Sequence, residues 1–350
     1  MFFSKLVGSF SADLGIDLGT SNTHVCVQGK GLVLSEPSVV AVKKGTDEVL
    51  CGGAAVGRIA KDMLGRTPLS IDAVRPLREG VVADFDMTEA LLSYFFRKVQ
   101  DGRRWISPRV LITVPVSINP IQKRAVFNSA ERAGARKVYL LEEPRAAGVG
   151  AGVPIHEASA NMIVDIGGGT TDISILSLAD VVVSKSLKIA GDAMDEAIVQ
   201  YVRKNYNNLV GPNTAEDIKI RLGSACPMTD EGSLTVNGRD LIAGLPRGVS
   251  ITSDDVRLAL GDPVRQIVDG IHDILERTGP ELSGDLVQNG MTLCGGGILL
   301  PGLSEVIEEE TGLPVHLAQD PLTTVARGTS IFLERLDDFE NILECGDDDL

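Results

Sequence analysis

The stretch MIVDIGGGTTDISIL, residues 162–176, sets three consecutive glycines between two apolar runs. Glycine weakens a strand interior, because it has no side chain to pack and the most backbone freedom to lose. Here strong strand sequence flanks the break, with Asp165 before it and Thr170, Thr171 and Asp172 after it. A second stretch, LGIDLGTSNTHVCV at residues 14–27, repeats the skeleton. Asp17-Leu18-Gly19-Thr20-Ser21-Asn22-Thr23 aligns with Asp165-Ile166-Gly167-Gly168-Gly169-Thr170-Thr171, and both read Asp-x-Gly-x-x-x-Thr. Each stretch predicts a β-hairpin with a glycine-bearing turn. The repeat predicts two similar lobes facing each other.

Without a Cβ, a turn can bring backbone N–H groups within hydrogen-bond distance of a phosphate. Thr20, Ser21 and Asn22 in the first turn, and Gly168, Gly169 and Thr170 in the second, are the candidate phosphate contacts. Asp17 and Asp165 fall at strand ends just ahead of the turns. Hard carboxylates there suit Mg2+, held largely through water and bridging phosphate oxygens. A third cluster, Gly295-Gly296-Gly297, precedes a helix and offers a backbone surface for an adenine or ribose. One glycine triplet alone is most often a tight turn. Two turns with one skeleton, plus the third cluster, are far more specific.

The chain has 350 residues, enough for two domains or one large two-lobed unit. A net charge of -15 argues against nonspecific nucleic-acid binding, since a phosphate backbone would repel it. Cys26, Cys51, Cys226, Cys294 and Cys345 show no metal-ligand spacing, and the four histidines are scattered. They predict reduced cytosolic thiols and no metal site built from nitrogen or sulfur. No apolar run approaches the roughly 20 residues of a membrane-spanning helix. In the opening MFFSKLVGSF, Phe2, Phe3, Leu6, Val7 and Phe10 share one face at helical spacing. The stretch is too short for a signal peptide. It reads either as an amphipathic segment in a membrane interface or as a terminus packed on its domain. Trp105 and Ile106, flanked by Arg103, Arg104 and Arg109, divide the same way: an interface position, or an anchor at the start of the next strand.

Strands and helices alternate after each hairpin, which defines an α/β protein. Residues 109–117 predict a buried strand, and Asn119-Pro120 an N-cap and first helical turn. The helix runs from Ile121 to Ala133 and stops at Gly134. Residues 137–143 predict the next strand. With Pro144 at the first helical position, Glu143 becomes the N-cap, at the carboxyl end of a strand, where ligands lie in open α/β sheets. Residues 193–206 and 253–278 predict helices, and 290–303 a strand, glycine turn and helix. The end, DDFENILECGDDDL at 337–350, reads as an acidic, mobile tail.

The two hairpins, LLEEPRAAGVGAG at 140–152 and LCGGGILLPG at 293–302 resemble the actin, sugar-kinase and heat-shock ATPase superfamily. Within it, DLGIDLGTSNT, LSEPSVVAV, RPLREGVVADF, SPRVLITVPV, DEAIVQYVRKNY, LPRGVSI and DPLTTVARG are similar in order and spacing to the MreB family, the bacterial actins of cell shape. The likeness covers nearly the whole chain, up to Leu336. It implies an actin-like ATPase fold of two lobes, each with a large and a small subdomain, around a nucleotide cleft. The implied subdomains are 1–33 with 78–150 and 322–350 (IA), 34–77 (IB), 151–190 with 265–321 (IIA), and 191–264 (IIB). It also implies a protein that binds ATP and Mg2+, hydrolyses ATP slowly and polymerises with itself as paired antiparallel protofilaments. Such a protein is cytoplasmic, lies on the inner face of the cytoplasmic membrane, and works with cell-shape and wall-elongation membrane proteins in wall synthesis.

The resemblance also assigns roles. Glu143 orients the attacking water and Thr170 helps hold it, with the adjacent Glu142 the alternative. Gly191, Asp192, Glu216, Lys219, Gly296, Gly297, Ile298 and Leu299 join the turn residues around the nucleotide. Phe2, Phe3, Leu6, Val7, Phe10, Trp105 and Ile106 meet the membrane, and Ile121 and Arg124 lie on the protofilament-pairing helix. Two positions depart from the family: Asp217 replaces a basic residue, and Ala190 replaces a glycine. Three other readings compete. A sugar kinase requires a catalytic aspartate over a substrate hydroxyl and a substrate-sized insertion, but Glu143 stands there and no insertion is found. A chaperone ATPase requires a substrate-binding domain after the nucleotide domain, and the chain ends too soon for one. A non-polymerising paralogue would share every motif above.

Overall fold

The computed structural model describes residues 13–46, 48–100, 107–339 and 343–346. The chain divides into two compact units: Met1–Glu157 with Leu178–Val181 and Leu322–Leu350, and Ala158–Ser177 with Val182–Pro321.

In the first unit, β1 (Leu14–Leu18), β2 (Asn22–Val27) and β3 (Gly31–Pro37) form an antiparallel meander. A small sheet of β4 (Val40–Lys43) and β5 (Ile71–Val74) packs with α1 (Arg58–Met63) over Val39, Ala41, Ala55 and Ala60. A short hairpin, β6 (Leu77–Arg78) to β7 (Val81–Val82), leads into α2 (Phe85–Val99). Asp84 caps α2 by accepting from Met87 N, and Met87, Leu91, Leu92 and Phe95 turn one face to the core. The parallel strands β8 (Arg109–Val114) and β9 (Lys137–Glu142) follow, joined by α3 (Pro120–Arg132). Strand β8 ends at Val114, short of the predicted 117, because Pro115 has no N–H for the ladder. Asn119 and Gln122 cap α3 reciprocally, and Gly134 follows its end with φ +111°.

Helix α4 (Glu143–Ala151) starts directly after β9. Its N-cap is Glu142, one residue earlier than predicted, and Pro144 is its second residue. The second unit repeats the plan of the first. Strands β10 (Asn161–Ile166), β11 (Thr171–Ser177) and β12 (Asp180–Leu187) form its meander. Helices α5 (Gly191–Tyr206) and α6 (Pro212–Leu222) lead to a three-stranded sheet of β13 (Asn208–Leu209), β14 (Ser233–Asp240) and β15 (Pro246–Thr252). A continuous 25-residue helix, α7 (Ser253–Arg277), and then α8 (Pro280–Asn289) return the chain to the main sheet at β16 (Met291–Cys294). Helix α9 (Leu303–Thr311) and β17 (Val315–Leu317) complete it.

The sheet orders are β18-β9-β8-β1-β2-β3 and β12-β11-β10-β16-β17, with β18 at Glu344–Cys345. In each, a meander is followed by parallel strands that pair with its first strand. Helix α10 (Thr324–Glu334) packs back onto α4 in the first unit. This crossing explains the alanines and glycines of α4. A Cβ at Gly150 would lie 1.9 Å from Thr324 O, and one at Gly328 would lie 1.8 Å from Ala146 O. The tail is not wholly loose. Strand β18 pairs antiparallel with β9, Leu343 is buried, and Lys123 on α3 forms an ion pair with Glu344.

Candidate nucleotide site

In the first hairpin Asp17 pairs with His24 and Leu18 with Thr23, so Gly19, Thr20, Ser21 and Asn22 make the turn. Gly19 has no left-handed backbone. It is required by space, because a Cβ would sit 2.5 Å from Asn22 O. Ser38 holds the turn: its Oγ donates to Gly19 O at 2.6 Å, its N–H to Ser21 O at 3.0 Å, and its hydroxyl meets Thr23 Oγ1 at 2.8 Å. Thr20 is buried, and its Oγ1 accepts from Gly80 N at 2.9 Å, which leaves its own proton to donate. Asp17 accepts from Thr113 Oγ1 at 3.3 Å. Burial pushes its carboxyl above the usual range, with His24 and Thr113 pulling the other way.

In the second hairpin Asp165 pairs with Asp172 and Ile166 with Thr171, leaving Gly167 to Thr170 as the turn. Gly167 N donates to Thr170 O at 2.9 Å. The start of α5 braces the turn from outside: Gly191 N donates to Gly167 O at 3.2 Å, and Asp192 N to Gly168 O at 2.7 Å. Thr171 Oγ1 donates to Ile189 O at 2.6 Å. Burial raises the Asp172 carboxyl, against hydrogen bonds from Ser186 and Thr170.

The third glycine cluster packs on the end of β10. Gly295 has φ +84°, and a Cβ there would sit 2.3 Å from Asp165 Oδ1. One at Gly297 would sit 2.3 Å from Ile166 Cγ2. The cluster thereby brings the short helical turn Gly296–Leu299 beside Asp165. Ile298 belongs to the core, so only its backbone is available to a ligand, while Leu299 is exposed. Glu216 and Lys219 lie half-buried on α6. Lys219 Nζ donates to Gly191 O at 2.8 Å. Asp217 forms an exposed ion pair with Arg221 within the helix. Ala190, the N-cap of α5, is buried with φ −161°, an extended backbone that alanine adopts without strain.

Glu142 Oε2 accepts from Arg145 Nε at 2.8 Å, and Arg145 also reaches Asp180. Glu143 is half-buried in the first turn of α4. Among the described residues no group of three or more His, Cys, Asp or Glu could hold a metal by itself. Asp17 and Asp165 each offer carboxylate oxygens. That fits Mg2+, which keeps several waters and takes phosphate oxygens, and does not fit a metal needing a full protein cage.

Ile121 is 83% exposed on α3, and Arg124 is exposed beside it. Phe2, Phe3, Leu6, Val7, Phe10, Trp105 and Ile106 lie outside the described residues. Arg109, which flanks Trp105 and Ile106 in sequence, is held by Asp13 through Nε at 2.9 Å and Nη2 at 2.6 Å. No described helix is long and apolar enough to cross a membrane. Ser38 and Gly80 escaped the sequence reading, because each acts on a partner that no local spacing announces.

A meander and parallel strands built twice, each with an aspartate at the strand end ahead of a glycine turn, define the actin-like class of fold. The chain belongs to the MreB/Mbl family: the family model for MreB/Mbl protein matches residues 11–341. It is 49% identical over 334 residues to the cell shape-determining protein MreB of Escherichia coli (strain K12), covering 95% of this chain and 96% of that one. Among solved structures it is similar to MreB 5 of Spiroplasma citri bound to AMPPNP. The TM-score is 0.89 and the identity 37%, over 94% of this chain and 98% of that one. A MamK double helical filament, at 24% identity, shares the fold with a TM-score of 0.76 over 93% of this chain and 98% of that one.

Proposed function

We propose that this homologue of the cell-shape actins binds ATP with Mg2+, hydrolyses it slowly, and assembles into filaments on the inner face of the membrane, where it organises wall synthesis. The observation that carries the reading is the duplicated hairpin, with the same aspartate, the same glycine turn and the same place in each sheet. Thr20, Ser21 and Asn22 of one turn, and Gly168, Gly169 and Thr170 of the other, offer donors to the phosphates. The α5 start, Glu216 and Lys219 serve the nucleoside side, together with the backbone of Gly296 to Leu299. The AMPPNP bound by the Spiroplasma citri relative supports a nucleoside triphosphate as the ligand.

Asp17 and Asp165 would hold Mg2+ through water, and the ion would offset phosphate charge. Glu143 orients the attacking water, with Thr170 assisting. A carboxylate that only positions water, with no strong base beside it, suits slow turnover and ATP as an assembly switch. Filament pairing through the exposed Ile121 and Arg124 face of α3, and membrane contact through Phe2, Phe3, Leu6, Val7, Phe10, Trp105 and Ile106, complete the proposal.

The test is sedimentation of the full chain with ATP, Mg2+ and lipid vesicles, beside Glu143→Ala and a chain lacking residues 1–10. The expected result is ATP-dependent pelleting with vesicles that the truncation weakens, and persistent polymer with slowed phosphate release in Glu143→Ala. If nothing pellets under any condition, the filament assignment fails. Phosphorylation of a sugar offered with ATP would move the protein to the kinase branch of the superfamily.

A further inference from the structure

Asp195 lies one turn into α5, facing α6. Its Oδ1 is 2.8 Å from Lys219 Nζ, and the side chains are only 14% and 17% exposed. The same ammonium donates to Gly191 O at 2.8 Å. Gly191 N and Asp192 N in turn donate to Gly167 O and Gly168 O of the second turn. Gly167 O and Lys219 Nζ both reach this junction, each 3.4 Å from where a Cβ at Gly191 would lie. An unbroken path thus runs from a carboxylate, through an ammonium, to the backbone that braces the turn. The ion pair of Asp217 with Arg221 on the same helix is more than half exposed and joins no second element, so it makes a useful contrast.

We propose that Asp195 is a positioning residue for nucleotide binding: its carboxylate holds the Lys219 ammonium against the Gly191 carbonyl, and so fixes both Lys219 and the second turn for the ligand. The proposal rests on the nucleotide reading above. The physical case is that lysine is a flexible stem ending in a strongly hydrated point charge, which does not stay mostly buried without a counter-charge. An ammonium has three donors. Gly191 O accepts from one of them, and the Asp195 carboxylate holds the charge as an ion pair at 2.8 Å. Asp195 is also set to change charge near neutrality. Burial is the largest influence on it, Lys219 opposes burial, and Glu216 of α6 and Asp192 of its own helix add to it, so the carboxyl is pushed up to about 6. Below that pH the carboxyl is neutral and its hold on the ammonium weakens.

The test measures binding of a fluorescent ATP analogue with Mg2+ to the full chain, at protein concentrations too low for assembly and across a pH series spanning about 6. The proteins are wild type, Asp195→Asn, Lys219→Met and the double variant. Near neutral pH, Asp195→Asn is expected to bind roughly tenfold more weakly, and the double variant no more weakly than Lys219→Met, since residues acting through one contact are not additive. Wild-type affinity is expected to fall as pH drops through about 6, while Asp195→Asn stays flat. Losses that simply add, or an Asp195→Asn profile that matches wild type, overturn the proposal. If Lys219→Met weakens binding and Asp195→Asn does not, the proposal fails and the nucleotide reading stands. If Lys219→Met binds as wild type does, the proposal fails and the nucleotide reading again stands; if wild type itself does not bind the analogue, both fall. Should Asp195→Asn not fold, the wild-type profile decides alone, and an affinity flat through pH 6 overturns the proposal.

Discussion

The two glycine turns share a sequence skeleton and are held in different ways. The first is held by one distant residue, Ser38, through its hydroxyl and its N–H, with Gly80 fastening Thr20. The second is held by the backbone at the start of α5. The glycines differ as well. A Cβ at Gly19 would strike a carbonyl at 2.5 Å, whereas one at Gly167 would approach Thr170 O only to 3.2 Å. A skeleton of Asp, Gly and Thr therefore sets the hairpin and the place of its aspartate. It does not set what keeps the turn in shape. Side-chain bracing can be removed by one substitution, while bracing by a helix start survives most substitutions at those positions.

That contrast orders the expected effects of substitution. Gly19→Ala should be the most damaging, because the backbone must shift: about 2–3 kcal/mol of stability is lost. Gly167→Ala should cost under about 1 kcal/mol by the same reasoning. Urea unfolding of the pair decides, and equal losses would erase the distinction. Next comes Ser38→Ala. Ser38 is fully buried and donates to Gly19 O, so its loss should cost ~1–3 kcal/mol and weaken nucleotide binding as well. Thr171→Val comes last for its effect on binding. It leaves Ile189 O without its donor at a cost of ~1 kcal/mol, yet affinity for nucleotide should hold within about twofold, because backbone bonds still brace that turn. A large affinity loss in Thr171→Val would mean that side chains govern both turns alike.

The sequence carried much of this, and its failures follow from physics. The two hairpins were readable because alternation and glycine placement are local, and Asp17 and Asp165 occupy equivalent strand positions. The Asn119 cap and the Gly134 stop were readable for the same reason. The cap of α4 was misplaced by one residue. Proline is favoured at the first helical position but tolerated at the second, and β9 runs straight into the helix here. Ile298 reads like its exposed neighbour Leu299 until the core claims it. Ser38 lies 19 residues from the carbonyl it braces, and Asp195 lies 24 residues from its lysine, so neither partnership leaves a spacing to detect. The tail was judged by its charge alone, which hid the pairing of Glu344 and Cys345 with β9.

That pairing bears on how such a chain keeps from associating wrongly. A bare strand edge is a row of unpaired donors and acceptors that any other extended chain can extend. The hazard grows wherever extended chains lie side by side. Here β18 covers Tyr139 and Leu140 in the middle of the six-residue β9 and is latched by Lys123 and Glu344. The stretches of β9 left open on either side, two residues each, give a stray strand too few hydrogen bonds to hold. Strand β18 thus acts as a stopper against sheet extension.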